Sequence, residues 1–330
     1  MNKSVRRFTI RDALILFVTF VGSLFSQDLP TSVPDLPSGI QSSLQPAIRS
    51  QLESALRARD YARAEVLLAD EIGRDPKRTD LLKLLGHIFF LDERYLNCAV
   101  AMKKADALGG LDEAARFLLA MSYVRLGRRD WSRPELLKLE QSYPNKALYP
   151  YWTGRIEYLD QRFEAAAVRF RQALKLDPRF VRAWDNLGLA NEALGQQQEA
   201  LHAYQEANRL NREGPGSPSF WAPLNLGSLM LKLDRLAEAE TYLTESLKYD
   251  PKSAKTRYQL ALLFEKRGKP EEAIAQLKES AAADSSYAEP HYALSRIYRR
   301  QGQLQESHAA LEVFQRLKKQ KTAVPNSQLE

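Results

Sequence analysis

The chain has 330 residues, ordinary hydrophobic and charged fractions and a formal net charge of +7, a composition typical of a soluble protein. Residues 1–26 supply +3 of that charge, and the remaining +4 is too diffuse for the concentrated basic stripe of a nucleic-acid binder. Cys98 is the only cysteine, which excludes an intrachain disulfide, a thiol-rich zinc site and a Cys-x-x-Cys redox pair.

In chain order, Lys3, Arg6, Arg7 and Arg11 precede an apolar run from Ala13 to Phe25, broken only by Thr19, Gly22 and Ser23. A run of this length suits the h-region of an export signal and falls short of the roughly 20 residues a spanning helix needs. Residues 1–26 therefore read as a signal, cleaved near Ser26 or kept as an anchor that tethers the chain to a membrane through residues 13–25; an ordinary buried helix is the third reading. The expected location is exported, periplasmic or secreted, or membrane-anchored. Gln27 to Leu44 holds Pro30, Pro34 and Pro37 among Ser, Thr and Asp, which predicts an extended linker over 27–44.

From residue 45 onward the chain repeats itself. Gly188 follows Gly154 by 34 residues, and Ala200 follows Ala166 by the same step. Stepping by 34 carries the glycine column back to Ala120, Gly86 and Leu52. A step of 39 carries it forward to Gly227, and steps of 34 then reach Ala261 and Ser295. The units are 45–78, 79–112, 113–146, 147–180, 181–214, 220–253, 254–287 and 288–321. A second column reads Ala64, Cys98, Ser132, Ala166, Ala200, Ala239, Ala273 and Ser307, and a third holds Pro76, Pro144, Pro178 and Pro251. A fixed period in the thirties marks a repeat array whose units must stack to bury their apolar faces. Small residues let two antiparallel helices approach, and proline ends each unit.

Trp184, Leu187-Gly188, Ala200, Tyr204 and Ala207, with Pro178 closing the preceding unit, resemble the tetratricopeptide repeat. The resemblance implies an all-α, right-handed superhelical solenoid of about eight helix–turn–helix repeats, split by an insert at 215–219 into 45–214 and 220–321, with a polar tail at 322–330. The insert, within Gly214-Pro215-Gly216-Ser217-Pro218, reads as a loop where the array could hinge. Departures are Leu52 in the glycine column, Gly109-Gly110 in place of a closing proline, and Pro134, which predicts that the second helix of unit 113–146 starts there. Cys98, in the small column, reads as a packing residue.

First helices of such repeats line a concave surface. Carried onto this sequence, the inward residues include His87, Phe90, Phe117, Met121, Tyr151, Arg155, Tyr158, Asn186, Trp221, Asn225, Lys255, Tyr258, Tyr292, Arg296 and Arg299. Aromatics and arginine are enriched at interface hot spots, so this groove suits a peptide or partner segment. Asn186 and Asn225 could grip a peptide backbone or be bonded internally. Family members that clamp a C-terminal carboxylate use a Lys/Asn/Asn/Lys/Arg set; Asn225 and Lys255 match two places, but Asp185 and Leu189 spoil the earlier ones, so a tail clamp is rejected. Arg296, Arg299 and Arg300 share one helix side and form either a solvated end or an anchor for an acidic partner.

No His-Glu-x-x-His, Gly-x-Ser-x-Gly or phosphate-cradling loop occurs, and His87, His202, His291 and His308 lack ligand spacing. The sequence therefore predicts a non-enzymatic scaffold of the cell envelope that binds a protein or peptide, or else a membrane-anchored assembly factor. It predicts no metal, cofactor, small-molecule substrate or nucleic acid.

Overall fold

What stops each helix sets the architecture. A computed structural model describes Leu36 and residues 38–323, and among these residues every regular element is an α-helix. The helices are α1 Ser38–Ser43, α2 Pro46–Arg57, α3 Tyr61–Arg74, α4 Thr79–Leu91, α5 Tyr95–Gly109, α6 Glu113–Arg125, α7 Arg129–Ser142, α8 Leu148–Leu159 and α9 Phe163–Leu176. They continue as α10 Val181–Ala193, α11 Gln197–Glu213, α12 Trp221–Lys232, α13 Leu236–Tyr249, α14 Ala254–Lys266, α15 Pro270–Ala283, α16 Glu289–Arg300 and α17 Leu304–Ala323. From α2 on they pack as consecutive hairpins, α2 with α3 through α16 with α17. The chain divides into two compact units, residues 1–177 with α1–α9 and residues 178–330 with α10–α17. Among the described residues no helix is long and apolar enough to cross a membrane; the run at 13–25 lies outside them.

Two stop signals alternate. Within every hairpin the first helix ends on a left-handed residue: Arg59, Glu93, Gly127, Gln161, Gly195, Asp234, Gly268 or Gly302, with φ between 55° and 78°. The following N–H then donates back five residues, as Arg162 N does to Glu157 O and Gln196 N to Asn191 O, both at 2.9 Å. This closure satisfies carbonyls that the helix end would leave open. Between hairpins the chain turns extended at Asp75, Asp177 and Asp250, where φ is −137°. Each precedes a proline of the third column, whose ring disfavours helical backbone at the residue before it.

The glycine column works as a set of sockets. A β-carbon on Gly86 would lie 2.9 Å from Met102 Cε, one on Gly154 2.8 Å from Phe170 Cε1, and one on Gly227 2.9 Å from Leu243 Cγ; on Gly188 it would run into the Tyr204 ring. Met102, Phe170, Tyr204 and Leu243 each stand four residues after the small column, one helical turn along the second helix. Where the socket residue is Leu52, Ala120 or Ala261, the knob position holds Leu68, Leu136 or Leu277. The serines of the small column bond across the hairpin instead of leaving a hydroxyl unpaired: Ser132 Oγ donates to Ala120 O and Ser307 Oγ to Ser295 O, each at 2.9 Å. Cys98 is fully buried in this column, and desolvation pushes its thiol up to about 12.

Three expectations change. The extended linker over 27–44 is helical from Ser38 to Ser43, and Leu36, Ile40 and Leu44 are buried in one core with Leu52, Leu56 and Leu68. Ile40 on α1, with Leu36 before the helix and Leu44 after it, covers apolar surface of the first hairpin; residues 27–35 and Pro37 lie outside the described residues. The second helix α7 starts at Arg129, not at Pro134. Ser132, two residues earlier, is already held on the Ala120 carbonyl, so the missing proline donor removes a single bond without ending the helix. Finally, the insert is pinned inside the second unit. Asn211 Nδ2 donates to Ser219 O at 2.9 Å and Asn211 Oδ1 accepts from Ser219 N at 2.7 Å, closing the loop that the sequence reading treats as a hinge.

Candidate functional site

In the first unit the expected groove residues are mostly core. Tyr151 is fully buried, with its ring 6.1 Å from Phe170 and 5.7 Å from Trp152. Arg155 is buried too: its Nη1 donates to the Tyr151 hydroxyl at 3.1 Å, and its guanidinium lies 5.4 Å from the Trp152 ring centre. Phe117 packs 6.0 Å from Tyr149 and 6.3 Å from Trp152. Tyr158 is half-buried and meets Phe163 edge-on at 5.3 Å. Phe90 and Met121 are buried. His87 is largely enclosed, its Nε2 makes no hydrogen bond, and burial lowers its pKa, so the ring stays neutral.

The asparagines of the second unit are bonded internally. Asn225 Nδ2 donates to both carboxylate oxygens of Asp185 at 2.9 Å, and Asn186 Nδ2 donates to Arg182 O at 2.8 Å. All three acidic and amide side chains are buried. Buried groups cannot meet a partner, so Phe117, Tyr151, Arg155, Asn186 and Asn225 serve the interior.

The rest of the expected set remains within reach of solvent, all of it in the second unit apart from Tyr158. Lys255 Nζ lies 4.6 Å above the Trp221 ring, which stacks on Phe220 at 4.6 Å. One turn on from Lys255, Tyr258 meets Tyr287 edge-on at 5.5 Å, and burial pushes its hydroxyl up to about 12, keeping it a neutral donor. Tyr292 is 49% exposed and leans on Phe314 at 5.1 Å. Arg296 Nη2 donates to Glu265 at 2.6 Å, Arg300 binds the other oxygen of the same carboxylate, and Arg299 is exposed. The structure therefore brings together Trp221 with Lys255, and Arg296 with Arg300 on Glu265. Among the described residues no three His, Cys, Asp or Glu side chains converge as metal ligands would.

Models described as TPR repeat match residues 154–195, and models described as tetratricopeptide repeat match residues 181–213, 224–288 and 258–325. These segments fall in the register that the sockets and knobs define. The chain is a tetratricopeptide repeat protein. No curated protein matches it. Among solved structures it resembles the Cut9–Hcn1 hetero-tetramer of the APC/C, with 17% identity and a TM-score of 0.59 over 78% of this chain but half of that one. It also resembles a tetratricopeptide repeat protein from Parabacteroides merdae, with 16% identity and a TM-score of 0.59 over 72% of this chain and 92% of that one. PilW, a widely conserved type IV pilus biogenesis factor, gives 22% identity and a TM-score of 0.55 over 66% of this chain and 96% of PilW. Identities this low fix the fold alone. Tetratricopeptide repeats bind protein or peptide partners and are typically non-catalytic scaffolds.

Within this tetratricopeptide repeat protein, sequence reasoning missed the acids that hold its first helices together. Asp185 meets Asn225, Glu192 meets Lys232, and Glu265 meets Arg300. In each pair the base or amide stands one repeat step plus one residue after the acid: 40, 40 and 35 residues. That offset is visible in the sequence once the step of 39 across the insert is known.

Proposed function

We propose that this tetratricopeptide repeat protein is a scaffold of the cell envelope that holds a partner segment on the first-helix side of its second unit. The observation that carries the reading is Tyr292. It is a large aromatic, half exposed, on the same side of α16 as Arg296 and Arg299, which stand four and seven residues on. Aromatic and arginine side chains dominate interface hot spots because they offer large contact area with a polar end. Glu265 binds both Arg296 and Arg300 but carries one negative charge for the two, so the cluster with the exposed Arg299 keeps a positive excess that would meet an acidic group on the partner. Lys255 over Trp221 supplies a second aromatic and cationic pair.

The test is capture of the partner from an envelope extract by the full chain, followed by affinity measurement with the captured protein. Tyr292→Ala with Arg299→Glu should weaken binding at least about tenfold, in line with the loss of a hot-spot residue. Equal binding by this variant would remove the proposed role from this side of the molecule. The export reading supplies the location, and residues 13–25 supply an anchored version in which the chain is an assembly factor tethered to a membrane. N-terminal sequencing of the exported protein separates the two, since a start near Gln27 removes the anchor.

A further inference from the structure

The solvent-facing sides of the second helices differ between the units in two ways that coincide. Among the described residues nine large hydrophobic side chains are exposed, and seven of them sit on α3, α5, α7 and α9 of the first unit. Val66, Val100, Pro134 and Val168 occupy one register position, one per hairpin; the valines are 60%, 62% and 51% exposed, and Pro134 is exposed as well. Pro134, which no packing requirement explains, falls in this column. In the second unit the same position holds His202, Thr241, Ala275 and Ala309. Charge follows the same division. Exposed charged side chains on the second helices of the first unit are seven basic and three acidic, a net +4. On α11, α13, α15 and α17 they are six basic and eight acidic, a net −2 among the described residues.

We propose that this face of the first unit docks on the headgroup surface of an anionic lipid bilayer. On α5, Val100, Lys103 and Lys104 stand at i, i+3 and i+4, and on α9, Val168, Arg171 and Lys175 stand at i, i+3 and i+7, so aliphatic and cationic groups share one side of each helix. That mixture is what an interfacial surface uses: short apolar groups enter the headgroup boundary while lysine stems lie along it with their ammonium groups at the anions. The apolar groups come one per hairpin, each on its own helix. A protein partner would need a matching spacing, whereas a bilayer surface accepts any. The chain outside the described residues points the same way. Residues 26–35 span at most about 35 Å when extended, and Leu36 is packed on the first hairpin. A segment 13–25 held in a bilayer keeps the first unit within that distance of it. This last support rests on the anchored reading above; the charge and exposure of the face do not.

The full chain with Val100→Cys, Val168→Cys or Thr241→Cys, each labelled with a polarity-sensitive dye, tests the proposal. Native Cys98 is buried, with its thiol held protonated, so the dye goes to the new cysteine. Vesicles of phosphatidylcholine and phosphatidylglycerol in equal parts should shift the emission at 100 and 168 to the blue and leave 241 unchanged. Pure phosphatidylcholine, or high salt, should weaken the shift. Lys104→Gln, Lys138→Gln and Lys175→Gln should each reduce vesicle affinity about fivefold. Labels at 100 and 168 that stay in water on anionic vesicles, or that respond equally on neutral ones or at 241, overturn the proposal. So does a shift produced by polyglutamate and not by vesicles, which would assign the face to an acidic protein. N-terminal sequencing decides the anchor separately, so the two readings fail independently.

Discussion

Tyr151 and Tyr292 occupy the same register position in different hairpins, one in each unit, and their surroundings are opposite. After Arg49 and Lys83, which are half-buried, the column reads Phe117, Tyr151, Asp185, Leu224, Tyr258 and Tyr292. Phe117 to Leu224 are buried, Tyr258 is half-buried and Tyr292 is 49% exposed. Tyr151 is enclosed by Trp152, Phe170 and the Arg155 guanidinium, while Tyr292 has the Phe314 ring on one side. A repeat period therefore fixes which side of a helix a residue stands on, and the size of neighbouring side chains fixes how deep it lies. Exchanging each tyrosine for serine measures the difference. Tyr151→Ser removes a buried ring and strips Arg155 of a buried acceptor, and should destabilise by about 4 kcal/mol. Tyr292→Ser should change stability by no more than about 0.5 kcal/mol, as for most surface positions. Urea unfolding followed by far-ultraviolet circular dichroism reads both, and equal losses would mean that the column is buried alike in both units.

The sockets sharpen the same lesson. Gly188 faces Tyr204, while Ala261, at the equivalent position, shares a core with Leu277. Socket and knob thus trade volume, and Gly188→Ala should destabilise by about 1–3 kcal/mol through overpacking. Tyr204→Leu recreates the alanine–leucine pair. Alone it deletes a buried ring and the Tyr204 hydroxyl bond to Glu192. Combined with Gly188→Ala it should cost less than the two losses added, with a coupling of about 1 kcal/mol or more in a double-mutant cycle. Additive losses would show that the glycine is there for some reason other than the ring.

How far the sequence could be read follows from these two columns. Glycine, alanine and proline at a fixed step were enough for helical hairpins in register, because those residues answer to backbone geometry, which repeats. The departures at Leu52, Ala120 and Gly109 did not break the architecture, since a larger socket residue meets a leucine knob and Gly110 ends α5 with a φ of 81°. Depth was not legible. Asp185 and Leu189 depart from the carboxylate-clamp set, but the pattern does not reveal the bond from Asn225 to Asp185, which joins neighbouring hairpins and depends on a one-residue offset between first helices. Nor were Leu36, Ile40 and Leu44 recognised as core, because the prolines around them dominate the local signal.

The left-handed turns were also within reach and were missed. Gly127, Gly195, Gly268 and Gly302 form a column of their own, in step with Arg59, Glu93, Gln161 and Asp234. In the first unit one turn of four has glycine, and in the second three of four. A side chain at this φ is opposed by contact between its β-carbon and the neighbouring carbonyl, about 1 kcal/mol or more for most residues and less for aspartate or asparagine. Glycine relieves that contact but gains freedom in the unfolded chain, which offsets part of the benefit. Gln161→Gly should therefore stabilise the protein by about 0.5 kcal/mol, and Asp234→Gly by less, since aspartate already tolerates the conformation. The reverse change, Gly195→Ala, should destabilise by about 1 kcal/mol, because nothing lies within 4 Å of the added carbon and the backbone term stands alone. Thermal midpoints of the three variants test the ordering. A Gln161→Gly variant no more stable than the parent would mean that the Gln161 side chain makes contacts worth as much as its strain, and the contrast between the units would then lie in side chains and not in turns.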